Sequence, residues 1–185
     1  MALLEIRVLG DPILREETIP VTEFTPELQA LIDDMFETMH AAKGIGLAAP
    51  QVGRRERLTV IEIEGERVVL INPEIVEKSG KVKTEEGCLS IPDIYADVER
   101  AGRVTVRALD RDGQPREYAA DGLMAVCMQH EIDHLFGTLF IDYLSVLKRR
   151  SALNKWMKEK EKYPGFIRRL SAEEIAEHHH RDEEL

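Results

Sequence analysis

Between Asp121 and Gly137 the chain reads Gly122-Leu123-Met124-Ala125-Val126-Cys127-Met128-Gln129-His130-Glu131-Ile132-Asp133-His134, and no other run restricts the fold as much. Its first half is apolar enough to demand burial, yet its second half is crowded with polar and ionisable side chains that would then need partners. In a helix each residue advances about 100°, so His130 and His134 stand one turn apart on one face. Two imidazoles so placed can share a metal ion, with Glu131 in reach of a water on that ion. Leu123, Val126, Cys127, His130, Glu131 and His134 keep the spacing of a one-sided helix. Asp121 is expected to cap its start and Gly137 to stop it. The plainer reading is a buried helix with two hydrogen-bonded histidines.

A catalytic site of this kind takes about three protein ligands and leaves one position open. The extended pattern His-Glu-x-x-His-x-x-Gly-x-x-His would supply the third, but Phe140 stands at its last position. His40 falls on another predicted helix. His178, His179 and His180 lie near the C-terminus, where a solvated tail is a simpler reading than loose metal binding. Cys127 lies seven residues from His134, about 10 Å along the axis, too far for both to hold one ion. It reads as a small apolar residue of wall or core. Cys88, bent out by Gly87 and Pro92, can present its sulfur from a strand end, or be a buried inert thiol. Reduced thiols suit these two cysteines better than a disulfide.

At 185 residues the chain can bury one core in one domain. Thirty-five acidic against 25 basic residues give a net charge of −10, which argues against a broad footprint for DNA. No stretch of about 20 apolar residues suggests a membrane span. Met1–Arg7 lacks a secretory layout, so a cytoplasmic location is expected.

Thr25-Pro26-Glu27 predicts a helix start, continued by Leu28, Leu31, Ile32, Met35, Phe36 and Met39 and ended by Gly44. Gly44–Gly53 is rich in glycine and alanine, allowing close backbone approach. It does not end as a phosphate loop does, and alone it reads as a connector. Leu58–Ile63 and Arg67–Ile71 predict a hairpin, with Asn72-Pro73 breaking its second strand. Glu74–Glu77 and Lys81–Lys83 predict another pair around Ser79-Gly80, and Val104–Leu109 with Pro115–Tyr118 a third. A helix is expected from Ser145 to about Tyr163, stopped by Pro164-Gly165. Its basic residues form a solvated face or, as a weaker reading, a patch touching ribosomal RNA. Ser171-Ala172-Glu173-Glu174 has capping-box spacing. The expected architecture is α+β, with mostly antiparallel β-sheets packed around a central metal-binding helix, an N-terminal helix and a C-terminal helix. Residues 1–165 are expected to form a single catalytic domain, and 166–185 a polar tail with a short helix.

Gly44-Ile45-Gly46-Leu47-Ala48-Ala49-Pro50-Gln51, Glu86-Gly87-Cys88-Leu89-Ser90 and Gln129-His130-Glu131-Ile132-Asp133-His134 together resemble the three motifs of bacterial peptide deformylases. Their order and approximate spacing also match, over roughly residues 5–150. The resemblance implies hydrolytic removal of the formyl group from N-formylmethionyl peptides emerging from the ribosome. It implies Cys88, His130 and His134 as ligands of one divalent ion, with Fe2+ expected and Zn2+, Ni2+ or Co2+ suited to the same donors. Glu131 would be the general base. The Gln51 amide and the backbone N–H of Leu89 would receive charge from the formyl oxygen. Ile45, Leu123, Val126, Cys127 and His130 would surround the methionine side chain, while Ile45, Gly46 and Leu89 offer backbone contacts to the peptide. Glu86 and Arg100 either pair behind the ligands or are solvated charges. Tyr95 stands where bacterial members often have arginine, which affects the outer rim. A zinc endopeptidase and a purely structural metal site are the alternatives, and neither accounts for the Gly44–Gln51 motif.

Overall fold

The computed structural model describes residues 2–183. In chain order its elements are β1 (Ile6–Arg7), α1 (Pro26–Ala41), β2 (Gly46–Ala48), β3 (Leu58–Ile63), β4 (Glu66–Ser79), β5 (Val82–Cys88), β6 (Ile91–Arg100), β7 (Arg103–Leu109), β8 (Pro115–Asp121), α2 (Gly122–His134), α3 (Val146–Glu159), β9 (Ile167–Arg168) and α4 (Ala172–Glu183). The class is α+β, as expected.

The five-stranded sheet has the order β2-β3-β4-β7-β8, every neighbour antiparallel. Its middle strands are apolar on both faces because a helix covers each. Leu58, Val60 and Ile71 pack with Leu31, Ile32, Met35 and Met39 of α1. Ile61, Val68, Leu70, Val104 and Val106 pack with Ala125, Cys127, Met128 and Ile132 of α2. A third cluster joins Ile91, Ile94 and Val98 of β6 to Phe140, Ile141 and Trp156. Both cysteines are free thiols.

α1 starts as its sequence predicts, the Thr25 hydroxyl accepting from the Leu28 N–H at 3.2 Å with Pro26 in the first turn. His40, at its far end, pairs with Glu62. α2 starts without the expected cap: Asp121 has an extended backbone but its side chain makes no capping hydrogen bond. It is still the last rung of β8, opposite Arg103, and the strand dictates its geometry. Beyond α2, Gly137 adopts φ 75° against the Arg15 backbone, where a Cβ would meet the Arg15 carbonyl oxygen at 2.6 Å.

Two strand expectations need correction. Asn72-Pro73 does not end β4. The ladder to β7 slips between Ile71 and Glu74, a bulge that absorbs the missing proline N–H. Asn72 sits there with φ 50°, its side-chain amide bonded to both backbone groups of Val21 at 2.8 Å. The chain does turn at Ser79-Gly80, but the flanking strands do not pair. Along Glu74–Ser79 the ladder partner of β4 is β7, and β5 leaves the sheet and pairs with β6 instead. The Gly44–Gly53 stretch is more than a connector, since β2 lies within it as an edge strand.

α3 ends at Glu159, short of Tyr163, and continues as single 3-10 turns over Lys160–Lys162 and Pro164–Phe166. Beyond it β9 pairs antiparallel with β1. The capping box of α4 is present, with the Ser171 hydroxyl accepting from the Glu174 N–H and the Glu174 carboxylate accepting from the Ser171 N–H. α4 is not wholly solvated: His179 and His180 are exposed, but His178 is buried 3.9 Å from Glu37 of α1.

Candidate metal centre and active site

α2 is buried from Ala125 to Ile132, so its polar residues find partners inside the protein. The Nε2 atoms of His130 and His134 stand 3.2 Å apart. Cys88 closes β5, where the ladder to β6 shifts between Glu86 and Cys88. Its sulfur lies 3.3 Å from His134 Nε2, and the three ligand atoms fall within 4.8 Å of one another. Gly87 allows the approach of the Tyr95 ring, which would lie 2.5 Å from any Cβ there.

The Cys88, His130 and His134 donor set fits a small divalent ion. Ring nitrogens and a sulfur at about 2.0–2.3 Å from a tetrahedral ion would be separated by about 3.3–3.6 Å. The observed 3.2 and 3.3 Å separations sit close to that spacing. The surroundings act on the two rings in opposite directions. Burial opposes charge on His130, but neighbouring Cys88 and Glu86 outweigh it and draw its pKa up to about 10. The surroundings therefore favour positive charge at this point. Burial pushes His134 well below its usual value, into the neutral form that ligation requires. Phe140, at the last position of the extended sequence pattern, stacks on His130 with ring centres 6.2 Å apart.

Behind the ligands runs a chain of charges. Glu86 Oε1 accepts from His130 Nδ1 at 2.8 Å, and Arg100 grips both oxygens of Glu86 at 2.7 and 2.8 Å. Glu86 and Arg100 are each 6% exposed, so they are a buried pair and not solvated charges. Burial opposes the Glu86 carboxylate, yet Arg100 and His130 hold its pKa below the usual value. Arg100 Nη1 continues to Asp133 at 2.7 Å, which also accepts from the Tyr143 hydroxyl at 2.7 Å. Donation of His130 Nδ1–H fixes the ring so that Nε2 faces Cys88 and His134.

Glu131 is buried, and burial pushes its carboxyl up to about 7. Its Oε2 lies 3.5 Å from the Thr59 hydroxyl. The β2 backbone presses against it at Gly46, where a Cβ would stand 2.7 Å from Oε1. Gln51 is anchored by the Ala48 N–H, which donates to its Oε1 at 2.9 Å. That turns Nε2 toward the Ser90 hydroxyl at 3.1 Å and Cys88 Sγ at 3.5 Å.

A cleft of about 500 Å³ opens onto Cys88, His130 and Glu131. Ile45, Gly46, Gln51, Leu89, Leu123, Val126 and Cys127 also line it. Val126 and Cys127 are buried, whereas Ile45 and Leu123 are exposed at its mouth. Burial raises the Cys127 thiol pKa, keeping it an uncharged wall group. His134 lies behind His130 and is not part of the lining. Sequence reasoning missed Ser90, Thr59, Asp133 and Tyr143. Ser90 and Asp133 lie inside the motifs and could have been found there. Thr59 and Tyr143 carry no local signal, because tertiary contacts alone bring them in.

Residues 3–150 match the profile of polypeptide deformylase. A curated peptide deformylase of Alkalilimnicola ehrlichii is 56% identical over 159 residues, covering 84% of this chain and 89% of its own. The crystal structure of a peptide deformylase from Legionella pneumophila superposes with a TM-score of 0.84 at 52% identity, over 86% of this chain and 96% of that one. A peptide deformylase from Synechococcus elongatus, solved in complex with actinonin, gives 0.80 at 46% identity, over 83% and 86%. With the fold, the three motifs and the relatives in agreement, the chain belongs to the polypeptide deformylase family and is an enzyme of that class.

Proposed function

We propose that this chain is a metal-dependent hydrolase that removes the formyl group from N-formylmethionyl peptides of newly made proteins, with Glu131 as general base. The observation that carries the reading is the convergence of Cys88 Sγ with two Nε2 atoms beside buried Glu131. Cys88, His130 and His134 would hold one divalent ion, Fe2+ in the cell, with Zn2+, Ni2+ or Co2+ able to use the same donors. Such an ion supplies Lewis acidity, making hydroxide available from water near neutral pH.

The chain's own residues do the rest. Glu131, with its carboxyl pKa raised to about 7, takes a proton from the attacking water and returns it to the leaving amine. Charge grows on the formyl oxygen, and Gln51 Nε2 and the Leu89 N–H donate to it. The Ala48 contact fixes the Gln51 amide in the sense this role needs. β2 is a sheet edge, so the backbone at Ile45 and Gly46 can pair with an extended peptide. Ile45, Leu123, Val126 and Cys127 would enclose the methionine side chain.

The catalytic domain, expected over 1–165, is extended in this reading by β9, which pairs with β1 and brings Arg168 to the cleft, and the basic face of α3 makes transient ribosome contact in the cytoplasm. Among the described residues no helix is long and apolar enough to cross a membrane. The test is formate release from formyl-Met-Ala-Ser. Release that a chelator stops and Fe2+ or Zn2+ restores supports the reading; no formate at any metal loading refutes it.

A further inference from the structure

The outer wall of the cleft includes residues beyond the family match. Tyr163 and Arg168 line it with Tyr95, and both follow residue 150. Their backbone is well fixed. Tyr163 stacks on Trp156 with ring centres 5.9 Å apart, and the Val8 N–H donates to the Phe166 carbonyl at 3.0 Å. In β9, Arg168 stands opposite Ile6 of β1.

The Arg168 guanidinium is held from outside the cleft. Its Nη2 donates to Glu174 at 3.0 Å, the carboxylate whose other oxygen caps α4 at Ser171. Among the described residues nothing else accepts from Arg168, so Nε and Nη1 remain as oriented donors. The side chain is 17% exposed and belongs to the lining of the cleft. One turn further along α4, Glu177 holds Lys43, a second cation of the lining, at 2.5 Å.

We propose that Arg168 is a specificity-determining residue that hydrogen-bonds a main-chain carbonyl of the peptide downstream of the formylated methionine. The C-terminal segment then makes the enzyme sensitive to peptide length. The inference rests on the deformylase reading of the cleft. An extended peptide advances about 3.3 Å per residue, and a cleft of about 500 Å³ exceeds the volume of one methionyl residue, so it has room for residues that follow, with Arg168 and Tyr163 among its lining. A guanidinium with one arm committed to a carboxylate keeps planar donors in fixed directions, which suits carbonyl oxygens. Neutralised by Glu174, it reads main chain and does not select acidic side chains.

The experiment compares formyl-Met-Ala, formyl-Met-Ala-Ser and formyl-Met-Ala-Ser-Ala, all amidated, on the full-length holoenzyme, R168M and R168K. Unfolding midpoints serve as a check on folding. In the natural protein kcat/KM should rise with length, mainly through KM. R168M should lose about tenfold of that rise, the scale of one hydrogen bond from a charged donor. R168K, keeping the charge and the Glu174 pair, should fall between. The same rise in R168M overturns the inference. So does an equal loss at every length, which would mark a structural role, or no rise in the natural protein. Absence of formate from all three peptides would instead bring down the deformylase reading, and the inference with it.

Discussion

Methionine in place of Arg100 would withdraw a guanidinium from between two carboxylates while leaving much of its volume filled. Glu86, 6% exposed, would lose its bonds at 2.7 and 2.8 Å and keep only the one from His130. Asp133, on the wetter side, retains the Tyr143 hydroxyl. Removing one partner of a buried pair costs about 3–5 kcal/mol, and the surviving His130 bond argues for the lower end. At about 2–4 °C per kcal/mol for a domain of this size, R100M should melt about 6–12 °C lower. Urea unfolding followed by the fluorescence of Trp156, the single tryptophan, reads the change at fixed metal concentration. The pH dependence has a definite sign. The Glu86 carboxyl is held below its ordinary value of 4.5, so it adds stability above that pH and loses it as pH falls through the folded value. In R100M, burial acts without the guanidinium and moves the carboxyl up. The gap between the two proteins should be widest at neutral pH and shrink in acid. E86Q in the R100M background should recover part of the loss, since no charge is then left buried. A gap below about 1 kcal/mol at pH 7, the size of a solvated pair, would refute the reasoning, as would a gap that ignores pH.

E131Q should bind metal at full stoichiometry by elemental analysis yet release almost no formate. Q51L should lower kcat on the order of 10²–10³ without releasing metal, measured by the same two assays. G46A places a methyl 2.7 Å from Glu131 Oε1. It should depress kcat while circular dichroism shows the fold intact; unaltered turnover would mean that Glu131 can move aside freely.

Local chemistry made part of this structure legible. Thr25-Pro26 and the apolar spacing after it set α1, and the Gly65 and Gly113 turns set two hairpins whose strands are adjacent in sequence. Ser79-Gly80 looked equally like a hairpin, but which strands pair there depends on β7, distant in sequence, already occupying the β4 edge. Asn72-Pro73 resembled a strand end because a bulge secured by Val21 cannot be seen from the neighbours of Asn72. The same division holds at the site. Cys88, His130 and His134 carry motif signals, whereas Thr59, Tyr143 and Arg168 reach it only through tertiary packing. His178 reads as tail from composition, and only the docking of α4 on α1 buries it.

β5 and β6 share no ladder with the five-stranded sheet, yet Cys88 comes from one unit and both histidines from the helix resting on the other. The ligand set thus straddles a seam that backbone hydrogen bonding leaves unstitched. Arg100, carried on β6 and reaching Asp133, fastens the same seam from behind. Opening of that hairpin away from the sheet would separate the Cys88 sulfur from both imidazoles while leaving the two histidines together on their helix.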